Sequence, residues 1–387
     1  MTVTLPSGIT AADPVRPSRL RPVPSTPAPA ASGLTPAQVE ELGRRLDEIR
    51  DRVLESRGAA DAEYIRRIIR IQRKLEIGGR ALLFAGVLPP AWLAGTALLS
   101  VAKILENMEI GHNVLHGQWD WMRDPKIHSS TWEWDLVSDA KSWKHSHNYL
   151  HHTYTNVVGK DRDVGYGILR LSEEQNWRPY YLGNPLYNFL LSLLFQWGVA
   201  LHDLEVEKVA SGEKSKADVW QQIKGIGRKM RRQFTKDYLV FPALAGPFFL
   251  PVLAGNLTAN LVRNIWSHAV IFCGHFPDGT VQFTEEQLEG ETRGQWYLRQ
   301  MLGSANLDGG RLFHLMTGNL SFQIEHHLFP DLPSNRYAEI AAEVRALCTE
   351  YGLPYTTGKL GTQYGQVLRK INRLALPPKH VRPRQLG

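Results

Sequence analysis

A chain of 387 residues with 45 basic and 38 acidic side chains has only two cysteines, Cys273 and Cys348, which excludes a disulfide framework, a zinc ribbon or an iron–sulfur protein. The formal net charge of +7 suits anionic headgroups, a phosphate handle or nucleic acid alike, so charge alone selects no partner. Hydrophobic residues make up an ordinary 43%, yet they gather into a few long uncharged runs instead of recurring at core periodicity, and that clustering points to a membrane.

Residues 1–34 are rich in Pro, Ala, Ser and Thr, lack the features of a secretory signal, and read as a disordered tail. From Thr35, an N-cap followed by Pro36 and Glu40 predicts a helix, read as a solvated surface helix. Residues 61–80 set Arg66, Arg67, Arg70, Arg73, Lys74 and Arg80 among Ile65, Ile68, Ile69 and Ile71, the pattern of a basic amphipathic helix on an anionic, cytoplasmic membrane face. The segment 35–80 is therefore expected to form cytosolic or interfacial amphipathic helices.

Three uncharged runs follow: Ala81–Ala102, Tyr180–His202 and Tyr238–Val262, the last continuing almost apolar to Phe276. Each matches the roughly 20 residues that a helix needs to cross the hydrocarbon core. Three simple spans would be the direct count, but residues 205–237 hold nine basic groups against five acids, which marks a cytoplasmic loop. An interfacial helix over 180–203 keeps both its flanks on that side. The last run contains Pro242, Pro247, Pro251 and an Ala254-Gly255-Asn256 break, so it can fold back as a hairpin, and Pro89-Pro90 can divide the first run likewise. The expected architecture is an all-α integral membrane protein, with four transmembrane helices in two hairpins near 81–109 and 238–272. The membrane domain would cover 81–345, and 346–387 would form a cytosolic C-terminal segment.

Histidines flank these runs. His112 and His116 stand four apart, as do His147 and His151, with His152 one step further round. Positions four apart share a helical face, so their imidazoles can reach one metal region. A single such pair is commonplace, but the density of the second window is hard to explain without a cation, since packed imidazoles repel once protonated. In the third window Gln323, His326 and His327 share a face, and the string is not a zinc-protease HExxH. Asn264 and His268 lie at the end of the last run and could face the same region. Eight imidazoles (His112, His116, His147, His151, His152, His268, His326 and His327) are too many for one ion and suit two. Imidazole alone leaves iron, zinc, copper and nickel open. Their place beside a bilayer favours a redox-capable centre that an acyl chain and O₂ can both reach.

The strings GHNVLHGQWDW (111–121), HNYLHHTYTN (147–156), RNIWSHAVIFCGHFPDG (263–279) and QIEHHLFPDLPSNRY (323–337) resemble those of the membrane fatty acid desaturases over about Ala81 to Tyr337, in particular the actinobacterial acyl-CoA Δ9 desaturases. The resemblance implies a mushroom-shaped, four-span helical fold whose cytosolic helical cap holds two irons, with an acyl tunnel running into it. It further implies an O₂-dependent enzyme that places a cis double bond in a long-chain acyl-CoA of the stearoyl or palmitoyl type. The box histidines would be its ligands, His268 an extra ligand from the fourth span, and Asn264 a residue reaching a metal through water. Gln323 stands where many desaturases have histidine, so its amide oxygen ligates or His314, His145 or His275 substitutes.

Breaking an unactivated C–H bond is beyond side-chain acids and bases, so the cofactor must supply the oxidant. Trp119 and Trp143 are candidates for lining the tunnel, with a core or headgroup-level role the plain alternative. No cytochrome b5-like HPGG, ferredoxin cysteine set or GxGxxG occurs, which implies electrons from a separate reductase. The remaining partners would be the bilayer and acyl-CoA or acyl-lipid, with no nucleic acid. The expected location is the cell membrane, with the active site and both termini cytoplasmic. A hydroxylase or other oxygenase on the same scaffold, an acyl-lipid desaturase and a zinc membrane protein are the rival readings.

Overall fold

The computed structural model describes residues 33–378, so the tail expected over 1–34 and the end of the C-terminal segment lie almost wholly outside the described residues. Helix α1 (Pro36–Glu55) starts on a reciprocal cap between Thr35 and Gln38, with proline at its first position. Its apolar residues Val39, Leu42, Leu46, Ile49 and Val53 recur at three- and four-residue spacing and are buried in the main core of the cap. The expectation of a solvated helix is thus corrected: the charged face is wet, but the apolar stripe seals the cap. Gly43 makes this close approach possible, since a Cβ there would stand 2.8 Å from the Gly294 Cα.

Helix α2 (Ala59–Phe84) runs from the basic segment straight into the first apolar run, and α3 (Pro89–Ile104) returns antiparallel to it, started by Pro89. The two cross at Gly79 and Gly95. A Cβ on Gly79 would lie 2.8 Å from the Leu99 nitrogen, and one on Gly95 would lie 2.9 Å from the Gly79 oxygen. In chain order the next helices are α4 (Asn184–Leu193), α5 (Phe195–His202), α6 (Lys216–Phe234) and α7 (Phe249–His275). The second hairpin descends from α6 through a π-helical turn (Thr235–Val240) and a short helix (Phe241–Leu244), and ascends as the 27-residue α7. The tips of the hairpins are tied where Trp92 Nε1 donates to the Pro251 oxygen at 2.9 Å. Asp237, fully buried, binds Arg80 at 3.0 Å and Lys103 at 2.8 Å at their base.

Among the described residues no helix is long and apolar enough to cross a membrane. The reason lies in how the apolar runs are divided. Helix α2 carries the arginines, α3 has 16 residues, and the buried face of α7 holds Asn256, Asn260, Arg263, Asn264 and His268. The four-span expectation therefore meets two helical hairpins whose apolar stretches are shared between segments. The run 180–203 is two short helices, α4 and α5, of ten and eight residues.

The cap is completed by α8 (Arg293–Leu302), α9 (Gln323–Leu328), α10 (Tyr337–Glu350) and α11 (Leu360–Ala375). A two-residue parallel pair, β1 (Asn306–Leu307) with β2 (Thr357–Gly358), is a small addition to the all-helical expectation. Helix α1 packs on α8, and α8 on α9, so the third histidine window sits on the apolar core of the cap.

Candidate metal centre

The first two histidine windows are set at changes of helical winding. Helix α3 passes into a π-helical stretch (Leu105–His112) that ends on His112, and a one-turn α-helix (Ala140–Trp143), capped by Asp139, passes into another (Lys144–His151). Wider winding of this kind recurs at functional sites. Helix α9 presents the third window from the cap, and the last turn of α7 adds His275.

Two groups of imidazoles result. His112, His116, His147 and His326 bring their ring nitrogens within 4.8 Å of one another, and so do His151, His275 and His327. His152 stands between them. Its ring centroid is 4.6 Å from His116, 4.8 Å from His326 and 4.4 Å from His327, and neither of its nitrogens has a hydrogen-bond partner. All seven histidines of the three boxes are thus brought together from stretches as far apart as 112 and 327.

The donor set fits metal ions. The facing Nε2 atoms of His112 and His147 are 3.3 Å apart, and those of His275 and His327 are 3.2 Å apart. With metal–nitrogen bonds of about 2.1 Å, adjacent ligand nitrogens stand roughly 3.0 to 3.4 Å apart. His116 Nε2, His151 Nε2, His326 Nε2 and Gln323 Oε1 are buried without a hydrogen-bond partner, a costly state unless a cation takes their lone pairs. Burial, and then neighbouring imidazoles, hold His116, His152, His326 and His327 far below the usual histidine range, and push His112 down to about 3. Neutral imidazole is the ligating form.

The opposite ring nitrogens are held from outside. Nδ1 of His151 lies 3.0 and 3.1 Å from the Asp161 carboxylate oxygens, and His147 Nδ1 lies 3.5 Å from Asp163. His327 Nδ1 faces Gln300 Oε1 at 3.2 Å and Thr155 Oγ1 at 3.1 Å, and His326 Nδ1 faces the Tyr337 hydroxyl at 3.3 Å. Such partners fix the tautomer and leave Nε2 turned inward. Burial works against a charge on His151, yet the two aspartates overcome it and raise the group to about 9.

The remaining residues expected at the site fall elsewhere. His268 lies outside both groups: its Nε2 faces Asn188 Oδ1 at 3.1 Å and its ring stacks on Phe272 at 3.9 Å. Two turns further along α7, His275 lies in the second group. Asn264 donates to the Leu193 oxygen at 2.8 Å and lines an apolar cavity beside the clusters. His314 pairs with Ser321 Oγ at 2.7 Å, and His145 is largely exposed. The Gln323 Nε2 is 3.0 Å from His275 Nε2, so the amide reaches the second group from its edge. Trp119 is buried in a core cluster with Ile65 and Val114, whereas Trp143 stacks on His147 at 4.5 Å.

The cavity, of about 60 Å³, opens against both groups. Leu136, Trp143, Phe195, Val199, Ile271 and Leu320 give it apolar walls, and His112, His147, His275 and Gln323 stand at its edge. Asp161, Asp163 and His202 were not singled out in the sequence. A carboxylate pair ten and twelve residues after His151 is the only local signal they carry.

The family profile described as fatty acid desaturase matches residues 89–359. The chain is 52% identical over 353 residues to the NADPH-dependent stearoyl-CoA 9-desaturase of Mycobacterium tuberculosis, covering 90% of this chain and 83% of that protein. It is 27% identical over 280 residues to the sn-1 linoleoyl-lipid 6-desaturase of Synechocystis, covering 71% of this chain and 77% of that protein. With human fatty acid desaturase 3 it shares 24% identity over 247 residues, covering 62% of this chain and 51% of that protein.

Proposed function

The chain belongs to the fatty acid desaturase family, and on that premise we propose that it places a cis double bond at carbon 9 of a long-chain acyl-CoA of the stearoyl or palmitoyl type. The observation that carries this reading is the apolar cavity with imidazoles of both metal-ligand groups at its edge. The relative sharing 52% identity, a stearoyl-CoA 9-desaturase named as NADPH-dependent, supports both the acyl carrier and an electron supply drawn from NADPH, which a separate reductase is proposed to deliver.

In this reading His112, His116, His147 and His326 hold one iron, and His151, His275 and His327 the other, with His152 between them and the Gln323 amide beside the second. When bound, the irons supply the reduction of O₂ to an oxidant able to remove two hydrogens from neighbouring methylenes. The chain does the rest. Imidazoles oriented by their Nδ1 partners hold the donor geometry, and burial of the site excludes water that would quench an oxidant. A methylene chain offers no polar handle, so the walls of the cavity, with Trp143 stacked on His147, must select which carbons face the centre.

The two hairpins are proposed to sit in the cell membrane with the cap and both termini on the cytoplasmic side. Their tips support this. Phe84, Val87, Leu88 and Leu93 on the first, and Leu244, Phe248, Phe249 and Leu250 on the second, leave large apolar side chains exposed. The basic residues of α6 lie at the opposite end of the second hairpin. Expression in a desaturase-deficient host, with its fatty acids identified by mass spectrometry, tests the reading. Product lacking two hydrogens at carbon 9 supports it, gain of one oxygen would make the protein a hydroxylase, and unsaturation only on intact membrane lipid would make it an acyl-lipid desaturase.

A further inference from the structure

The loop after the second histidine window carries Asp161-Arg162-Asp163, and both carboxylates are buried. They differ in what they touch. Asp161 serves one imidazole: both its oxygens face His151 Nδ1, and they also accept from the backbone nitrogens of Asn156 at 2.8 Å and Asp163 at 3.0 Å. Asp163 serves three. Its Oδ2 lies 3.5 Å from His147 Nδ1 and 3.6 Å from His151 Nδ1, and its Oδ1 lies 3.1 Å from His202 Nε2.

His147 belongs to the first group of imidazoles and His151 to the second, so one carboxylate stands behind a ligand of each. Its position is on the outer side. The inward Nε2 of His147 faces His112, and that of His151 has no protein partner. His202 belongs to neither group. It ends α5, its ring lies 5.2 Å from that of Tyr166, and both residues line the apolar cavity. Arg162 Nη1 reinforces the same junction by donating to the His202 oxygen at 2.6 Å.

We propose that Asp163 is a positioning residue common to both metal sites, its charge facing one imidazole of each, with the His202 ring set beside its carboxylate on the cavity wall. The inference rests on the reading of the two groups as metal sites. It makes the sites interdependent, because removing one carboxylate charge changes the setting of a ligand of each at once, His151 keeping its contact with Asp161. It also connects the wall that an acyl chain would touch to the ligands themselves.

The test is loading of purified protein in detergent with ⁵⁷Fe(II), followed by metal analysis and Mössbauer spectroscopy. Wild type should hold about two irons, Asp161→Asn should weaken one site, and Asp163→Asn should weaken both by about 10- to 100-fold, the usual effect of losing an outer partner. His202→Phe should change the spectra of both sites, whereas His202→Gln, which keeps a polar group beside the carboxylate, should leave them near wild type. These two variants carry the test should Asp163→Asn fail to fold. Wild type that binds no iron would sink the metal reading itself. Wild type with two irons, beside an Asp163→Asn variant that is unchanged or weakened at one site only, would overturn the proposal alone, as would His202→Phe with wild-type spectra.

Discussion

Asn156 offers a sharp check on how the second group of imidazoles is assembled. Its Nδ2 has two hydrogens to share among three carbonyls: Gly303 at 2.7 Å, His275 at 3.2 Å and Val281 at 3.2 Å. The residue is buried and its backbone lies in the left-handed region, with φ 57°, which asparagine tolerates better than other side chains. Asn156→Ala would strand two buried hydrogen bonds at about 1 to 3 kcal/mol each, and would add about 1 kcal/mol for alanine at that φ. The total, about 3 to 7 kcal/mol, is a large part of the stability of most domains. Asn156→Gly should recover only the backbone share, about 1 kcal/mol.

The loss also has an address, because one of the carbonyls released belongs to His275 itself. Freed from Asn156, the end of α7 would no longer hold the His275 ring 4.7 Å from those of His151 and His327. Thermal unfolding in detergent, together with iron per chain, measures both effects. The midpoint should fall by at least about 4 °C, given roughly 1.3 °C per kcal/mol for a chain of this length, and iron should drop at one site. An Asn156→Ala protein with wild-type midpoint and iron content would refute the assignment of Asn156 as the tie between the second window and α7.

Four further outcomes are expected. His151→Ala or His327→Ala should abolish desaturation in cells while membrane-fraction protein levels persist; activity in both would remove the two-metal assignment. His268→Ala should keep its full iron content, because its ring faces Asn188 and Phe272 instead of the clusters, whereas His275→Ala should lose iron, and the reverse result would restore His268 as the ligand. Metal uptake should release a proton below about pH 9: burial opposes a charge on His151, but Asp161 and Asp163 hold the metal-free imidazole protonated up to about 9. Titration with Co²⁺ in buffers of different ionisation enthalpy reads that proton directly, and identical heats in all buffers would contradict it. The metal-free protein should lose stability as pH falls below 6.5, since burial, with His147 beside it, depresses His112 to about 3 in the fold and the unfolded chain takes up the proton first. Chemical unfolding between pH 7.5 and 5.5 should show that slope, and a flat profile would argue against a neutral buried cluster.

Much of the site was legible in order along the chain, and for a local reason. His112 with His116, and His147 with His151 and His152, lie within one or two helical turns, where spacing alone decides which side chains share a face. The same holds for Gln323, His326 and His327, and for the basic and apolar stretches that become α2 and α3. Fatty acid desaturase chemistry followed from those boxes together. The solvated reading of α1 went wrong because its stripe of Val39, Leu42 and Leu46 needed α8 to cover it, and nothing within residues 36–55 says what packs there.

What tertiary structure decided is which distant groups meet. His268 and His275 both ride on α7, and sequence could not choose between them. Only the pin from Asn156 to the His275 carbonyl and the stacking of His268 on Phe272 separate their fates. The outer partners Asp161, Asp163, Gln300 and Tyr337 were equally invisible, since their contacts depend on the path of loops and carry no periodicity. Helical spacing repeats every few residues and is written locally, whereas orientation of a ring by a carboxylate is settled only when the whole chain closes around it.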